Sequence, residues 1–151
     1  MLAKIVLNII AVALLLPVVL HAQADEEFQL SHYRWENRLL LIFAPSQKSA
    51  DYKKQLEELQ GREDGMLDRD LKTFRLFTEE TSIGDGHEIN KEIVESLYRK
   101  FDVQPGSFAI ILIGKDGTEK LRKESLLNTG KLFGLIDSMP MRQREMRDDG
   151  Q

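Results

Sequence analysis

Leu39-Leu40-Leu41-Ile42-Phe43 is a continuous apolar run, with Arg38 before it and Ala44-Pro45 after it. A run without alternation fits a strand buried on both faces, and so a central place in a sheet. It leads into the polar turn Ser46-Gln47-Lys48-Ser49 and then a helical pattern over residues 49–60. There Tyr52, Leu56 and Leu59 recur at i, i+4 and i+7, which puts them on one face. Ser46 or Ser49 suits the N-cap, and Gly61 suits the stop.

Ahead of this unit, residues 25–38 form a lead-in whose apolar points are Phe28, Leu30, Tyr33 and Trp35. Trp35, the sole Trp, is expected to pack the lead-in onto the core. Residues 62–68 read as a charged loop. Residues 70–77 read as a strand of mixed pattern through Leu71, Phe74, Leu76 and Phe77, and residues 78–88 as a loop containing Gly84-Asp85-Gly86. The clearest helix spans 90–101, with Ile89, Ile93, Val94, Leu97 and Phe101 as its stripe. Pro105-Gly106 punctuates, and 108–113 is a second buried strand. Asp116-Gly117 then signals a hairpin into a return strand over 118–122. Thr129 is expected to cap a last helix with the stripe Leu132, Phe133, Ile136 and Met139, and Pro140 to stop or bend it. Residues 141–151 read as a frayed, charged tail. Strands separated by crossover helices imply parallel pairing, with one antiparallel edge from the hairpin. The class is α/β, a central mixed sheet flanked by helices.

The first 24 residues have the pattern of a secretory signal. Lys4 is followed by an apolar stretch over 5–20, broken by Asn8 and Pro17, and then by Ala22-Gln23-Ala24. The stretch is short for a membrane span, so contact with a membrane is expected only through the transient signal. Cleavage after Ala24 would leave residues 25–151, 127 residues, enough for one compact domain. It would move the formal charge from −4 to −5, since the signal holds one Lys and no acid. Mild acidity with interspersed Lys and Arg gives no footprint for nucleic acid. The expected location is periplasmic or secreted.

The element order and the 44–49 strand–turn–helix resemble the thioredoxin fold. A closer resemblance rests on four stretches. They are the run Trp35-Glu36-Asn37-Arg38 with the strand to Pro45, Asp68-Arg69-Asp70-Leu71, Leu112-Ile113-Gly114-Lys115-Asp116-Gly117, and Ile136-Asp137-Ser138-Met139-Pro140-Met141-Arg142. In order and spacing these resemble a secreted thioredoxin-like family of uncharacterised function. That family is similar to domains of the sushi-repeat-containing proteins and of a coiled-coil-domain matrix protein. The resemblance implies a thioredoxin-like or peroxiredoxin-like fold without the redox pair, and binding rather than turnover. In a thiol oxidoreductase the turn would carry Cys-x-x-Cys, but this chain has no cysteine. A hydroxyl offers no usable thiolate and forms no disulfide, so thiol-disulfide exchange is excluded. The proline that precedes a strand in thioredoxins has Pro105 as its nearest match, slightly early, and the sequence leaves the isomer of the Gln104–Pro105 bond open.

Ser46, Gln47 and Ser49, with Arg69 and Pro105, are the candidate partner-binding residues. Backbone N–H groups at the helix start favour an anionic or peptide contact, against the plainer role of capping. Arg69 either pairs locally with Asp70 or reaches the Ser46 turn. A hydrolase would need Ser46 with His32 or His87, and no Gly-x-Ser-x-Gly elbow is present. Asp85-Gly86-His87-Glu88 has metal-ligand types without a matching cluster, and Met139, Met141 and Met146 are soft ligands better read as packing or tail. Walker-type and dinucleotide glycine patterns are missing. No cofactor is expected. The leading expectation is an exported non-redox module for a protein or peptide partner in the envelope or outside the cell. The alternatives are a non-thiol enzyme, hydrolytic or metal-assisted, and a structural envelope or adhesion component.

Overall fold

A computed structural model describes residues 29–148 and 150. The expected signal over 1–24 lies outside the described residues, as does Phe28. After a short 3-10 helix at Leu30–Tyr33 the elements run β1 Arg38–Ala44, α1 Ala50–Leu59, α2 Glu63–Leu67, β2 Leu71–Phe77, β3 Ser82–Gly84 and β4 His87–Ile89. They continue with α3 Lys91–Lys100, β5 Ala109–Ile113, β6 Glu119–Lys123, α4 Thr129–Asp137 and α5 Pro140–Asp148. Among the described residues no helix is long and apolar enough to cross a membrane.

The strands form one mixed sheet in the order β4-β3-β2-β1-β5-β6. β1 is central, as its unbroken apolar run requires, and all seven of its residues are buried. Its side chains alternate between two cores. Leu39, Leu41 and Phe43 pack with Phe74, Leu76, Ile111 and the α3 residues Val94, Leu97 and Tyr98. Leu40 and Ile42 pack with Ile110 and Leu112, with Tyr52 and Leu59 of α1, and with Leu132 and Ile136 of α4. The period of two thus builds a three-layer domain, with α3 on one face and α1 and α4 on the other. Phe43 meets Tyr98 edge-on at 4.8 Å between ring centroids.

β1 and β2 are parallel, Arg38 opposite Leu71 through Ala44 opposite Phe77. The second crossover behaves differently from the expectation, because β5 runs antiparallel to β1, with Phe43 opposite Ala109. The reason lies in α3. Its first residue, Lys91, and Pro105, beyond its end, line the same groove. The helix therefore returns the chain to the end of the sheet where it began, and β5 must start beside the end of β1.

Several local expectations are corrected. Residues 82–89 form the β3–β4 hairpin rather than a loop, turning on Asp85 and Gly86, both with positive φ. Gly84 is required there, since a Cβ on it would stand 2.0 Å from the Phe74 ring. Residues 63–67 are helical, not loop. Leu56 is exposed, and Gln55 takes its inward place. Asn128, not Thr129, caps α4 by accepting from the Lys131 N–H, while the Thr129 hydroxyl donates to the Glu58 carbonyl. Pro140 opens α5, where its missing N–H is harmless, so the expected frayed tail is helical through Asp148. Trp35 is 61% exposed with φ +71°, and does not pack the lead-in onto the core. Tyr33 does, its ring edge-on to Phe74.

Candidate functional site

The turn after β1 is closed by its own serines. The Ser49 hydroxyl donates to the Ser46 carbonyl at 2.9 Å, and the Ser46 hydroxyl accepts from the Lys48 N–H at 3.2 Å. Ser49 occupies the N-cap position of α1 without a side-chain capping bond, because its hydroxyl is used in the turn. The Gln47 N–H donates to the Glu80 carboxylate. The chain's own acid thus sits on a donor that an anionic ligand would seek at this helix start.

The loop after β2 docks on the same turn. The Glu79 N–H donates to the Pro45 carbonyl at 3.0 Å, and the Thr78 hydroxyl lies 3.5 Å from it. From Thr78 a groove of about 630 Å³ extends along α3 to Gln104 and Pro105. Phe77, Val94, Tyr98 and Val103 give it apolar walls. Lys91, Glu95 and Arg99, spaced one helical turn apart, alternate in charge along its rim. The Tyr98 hydroxyl is spent inside, 2.9 Å from the Leu76 carbonyl and 3.1 Å from that of Ala44. Burial pushes its pKa up to about 12. The Gln104–Pro105 bond is trans, as are all the described peptide bonds.

Four of the five candidate residues therefore share one end of the sheet. Ser46, Gln47 and Ser49 follow β1, and Pro105 precedes the antiparallel β5. Arg69 lies at the other end, just before β2, about 20 Å away along a seven-residue strand. It cannot reach the Ser46 turn. Its guanidinium donates to Asp137 at 2.7 Å and to the Gly65 carbonyl at 2.8 Å, and it stacks 4.3 Å from the Phe133 ring centroid.

That far end holds a feature the residue-by-residue reading missed. Arg38, only 1% exposed, grips Glu145 with two bonds of 3.1 Å and donates to the Arg69 carbonyl at 2.9 Å. Lys115 reaches Glu145 at 2.8 Å and Asp70 at 2.7 Å. Arg142 bonds the Asp68 carboxylate, its carbonyl at 2.7 Å, and Asp137 at 3.4 Å. Arg142 is buried, contrary to its reading as part of a frayed, charged tail. Burial alone would raise the Glu145 pKa, but hydrogen bonds and charge from Arg38 and Lys115 outweigh it and hold it below the usual range. The signal for this cluster was present in another form. Arg38, Asp68, Asp70, Lys115, Asp137 and Arg142 all stand within the four stretches that carry the family resemblance.

Two of the chain's three histidines, far apart in sequence, line a common recess. His32 and His87 line one recess of about 240 Å³ with Tyr33 and Glu88, beside the β3–β4 hairpin. Ser46 does not line this recess, and its hydroxyl is occupied within its own turn. Among the described residues no group of three or more His, Asp or Glu is arranged to hold a metal ion. Met139 packs against the α1–α4 core.

Comparison with solved structures gives the fold. The thioredoxin peroxidase I of Plasmodium yoelii superposes with a TM-score of 0.56 at 18% identity, covering 76% of this chain and 79% of that one. The reduced 2-Cys peroxiredoxin of Plasmodium vivax gives 0.55 at 15%, covering 76% and 84%. The sheet and its covering helices are accordingly thioredoxin-like, as the order of elements implied. Among sequence relatives, coiled-coil domain-containing protein 80 of Danio rerio is 29% identical over 133 residues, 78% of this chain and 15% of that protein. The sushi repeat-containing protein SRPX of Rattus norvegicus is 30% identical over 123 residues, 78% of this chain and 26% of that protein. The chain thus spans about a quarter or less of the length of these relatives. Residues 29–145 match the family described as a domain of unknown function, DUF4174, and since that span takes in well over half of the sequence, the chain belongs to this family.

Proposed function

We propose that this is an exported, non-redox thioredoxin-like domain that binds an extended segment of a protein or peptide partner, in the periplasm or outside the cell. One observation carries the reading: the groove of about 630 Å³ that runs from Thr78 to Pro105, against the turn where a redox enzyme of this fold would hold its thiols. Its size is in the range of ligand clefts, roughly 300–1,000 Å³. Apolar walls would take side chains of the partner, and the alternating rim of Lys91, Glu95 and Arg99 would set its register. Without a thiol the groove would hold a partner and leave its disulfides untouched.

The test is crosslinking capture from the native envelope with three proteins: the unsubstituted chain, Ser46→Arg and Gln104→Arg. Both positions are at least partly exposed, so the fold should survive a bulky cation. The reading requires the same partner to be lost with both variants while their melting temperatures stay unchanged. Equal capture by all three proteins would remove the groove from the account.

A further inference from the structure

We propose that Arg38 and Lys115 form a clamp for a small carboxylate, and that the chain's own Glu145 is the ligand now seated in it. The geometry is that of a carboxylate site. Both oxygens of Glu145 are taken by the Arg38 guanidinium, and Lys115 adds a third contact at 2.8 Å. Arg38 is buried on β1, so its charge must be met by an anion wherever Glu145 is removed. Nε of Arg38 is buried and without a hydrogen-bond partner among the described residues, so the guanidinium has donor capacity that Glu145 does not use. Beside it opens a recess of about 240 Å³ lined by Arg38, Lys115, Lys120, Asp116, Met139 and Met141, where Lys120 is already paired with Asp116 at 2.7 Å and Arg38 and Lys115 are the cations left to face a ligand. That volume suits a small free acid, not a segment of a folded partner.

The element that brings Glu145 is suited to leaving. α5 buries a single side chain, that of Arg142, and is held by ion pairs of Arg142 and Glu145 and by polar bonds from Arg142 to the Asp68 carbonyl and from Gln143 to the Asp137 carbonyl. Arg38 and Arg142 are buried, so general screening reaches these pairs weakly, and an ion must enter the recess and bind to displace Glu145. An external carboxylate can therefore take the place of Glu145 while α5 lifts.

The test uses Glu145→Ala with sodium acetate, inorganic phosphate and sodium chloride at equal ionic strength, and melting temperature as the readout. In chloride the variant should melt roughly 10–20 °C below the unsubstituted protein, since a buried charge is left unmatched. Acetate should recover at least half of that loss with a saturating dose response. It should recover none of it in Arg38→Met/Glu145→Ala. Recovery by phosphate but not acetate overturns the carboxylate assignment, and equal behaviour in all three salts overturns the site. Should Glu145→Ala not fold, hydrogen exchange on the unsubstituted protein decides. Acetate must speed exchange of the α5 amides several-fold over chloride, and equal exchange refutes the proposal.

Discussion

The guanidinium of Arg38 and the carboxylate of Glu145 pair bidentately across 107 positions of the chain, joining the first strand to the last helix. Arg38 enters the sheet beside β2, its N–H donating to the Asp70 carbonyl, and Glu145 stands near the end of α5. The pair fixes where α5 lies and neutralises a charge that the central strand has buried.

Breaking that pair from one side should be costly. Arg38→Met leaves Glu145 and Lys115 to rearrange, and Glu145→Ala leaves a buried guanidinium. Each is expected to lose about 3–5 kcal/mol in urea unfolding. The double replacement Arg38→Met/Glu145→Leu should recover most of that loss, because no unmatched charge remains. Additive losses in the double variant would show that the two side chains act independently.

Acid should act through the same group. The Glu145 pKa is lowered from its ordinary 4.5, where burial acts upward and the bonds and charges of Arg38 and Lys115 prevail. A depressed folded value means that the unfolded chain takes up the proton first. The contribution is fully present above about pH 4.5 and is lost as pH falls through the folded value. Melting temperature against pH should therefore drop less steeply below pH 4.5 in Glu145→Gln than in the unsubstituted protein. Parallel curves would contradict this. Asp116 adds a similar acid-side loss, for burial is outweighed there by bonds from Lys120 and Thr118, which bring its pKa to about 2.

Tyr98 supports the groove from beneath. Tyr98→Phe removes the one donor shared by the Ala44 and Leu76 carbonyls and should cost about 1–2 kcal/mol. Spectrophotometric titration should show one of the three tyrosines ionising near pH 12, and that step should vanish in the variant.

The end of α3 offers a stabilising change. The Asp102 N–H bonds the Arg99 carbonyl and the Val103 N–H bonds that of Tyr98, with Asp102 at φ +49°. This is the helix ending that favours glycine. Asp102→Gly should raise stability by about 0.5–1 kcal/mol in urea unfolding, and a loss of that size would mean the exposed carboxylate has a role the backbone does not reveal.

How far the sequence could be read followed the range of each signal. β1, β5 and the Asp116–Gly117 hairpin were legible because apolar runs and turn dipeptides are local. Asp85-Gly86 is the same dipeptide, but the strands beside it have three residues each and too little alternation to stand out. Gln55 defeated the helical stripe because its value is tertiary. It is fully buried, donating to the Leu127 carbonyl at 3.0 Å and accepting from the Leu127 N–H at 2.8 Å. Trp35 misled for the converse reason, since a large ring usually packs inward and here the backbone turns it out. The Ser46 end of the candidate site was legible from β1 alone. The charged cluster was not, because its members come from distant segments and each, taken singly, is an ordinary surface residue.

The most direct test of the binding account is nuclear magnetic resonance mapping with peptides selected on the purified protein from a random display library. The account predicts that bound peptide shifts the amides of Phe77, Thr78, Val94, Tyr98 and Gln104, and that Gln104→Arg weakens the titration at least tenfold. Shifts confined to the Arg38 end of the sheet, or affinity unchanged in Gln104→Arg, would contradict it.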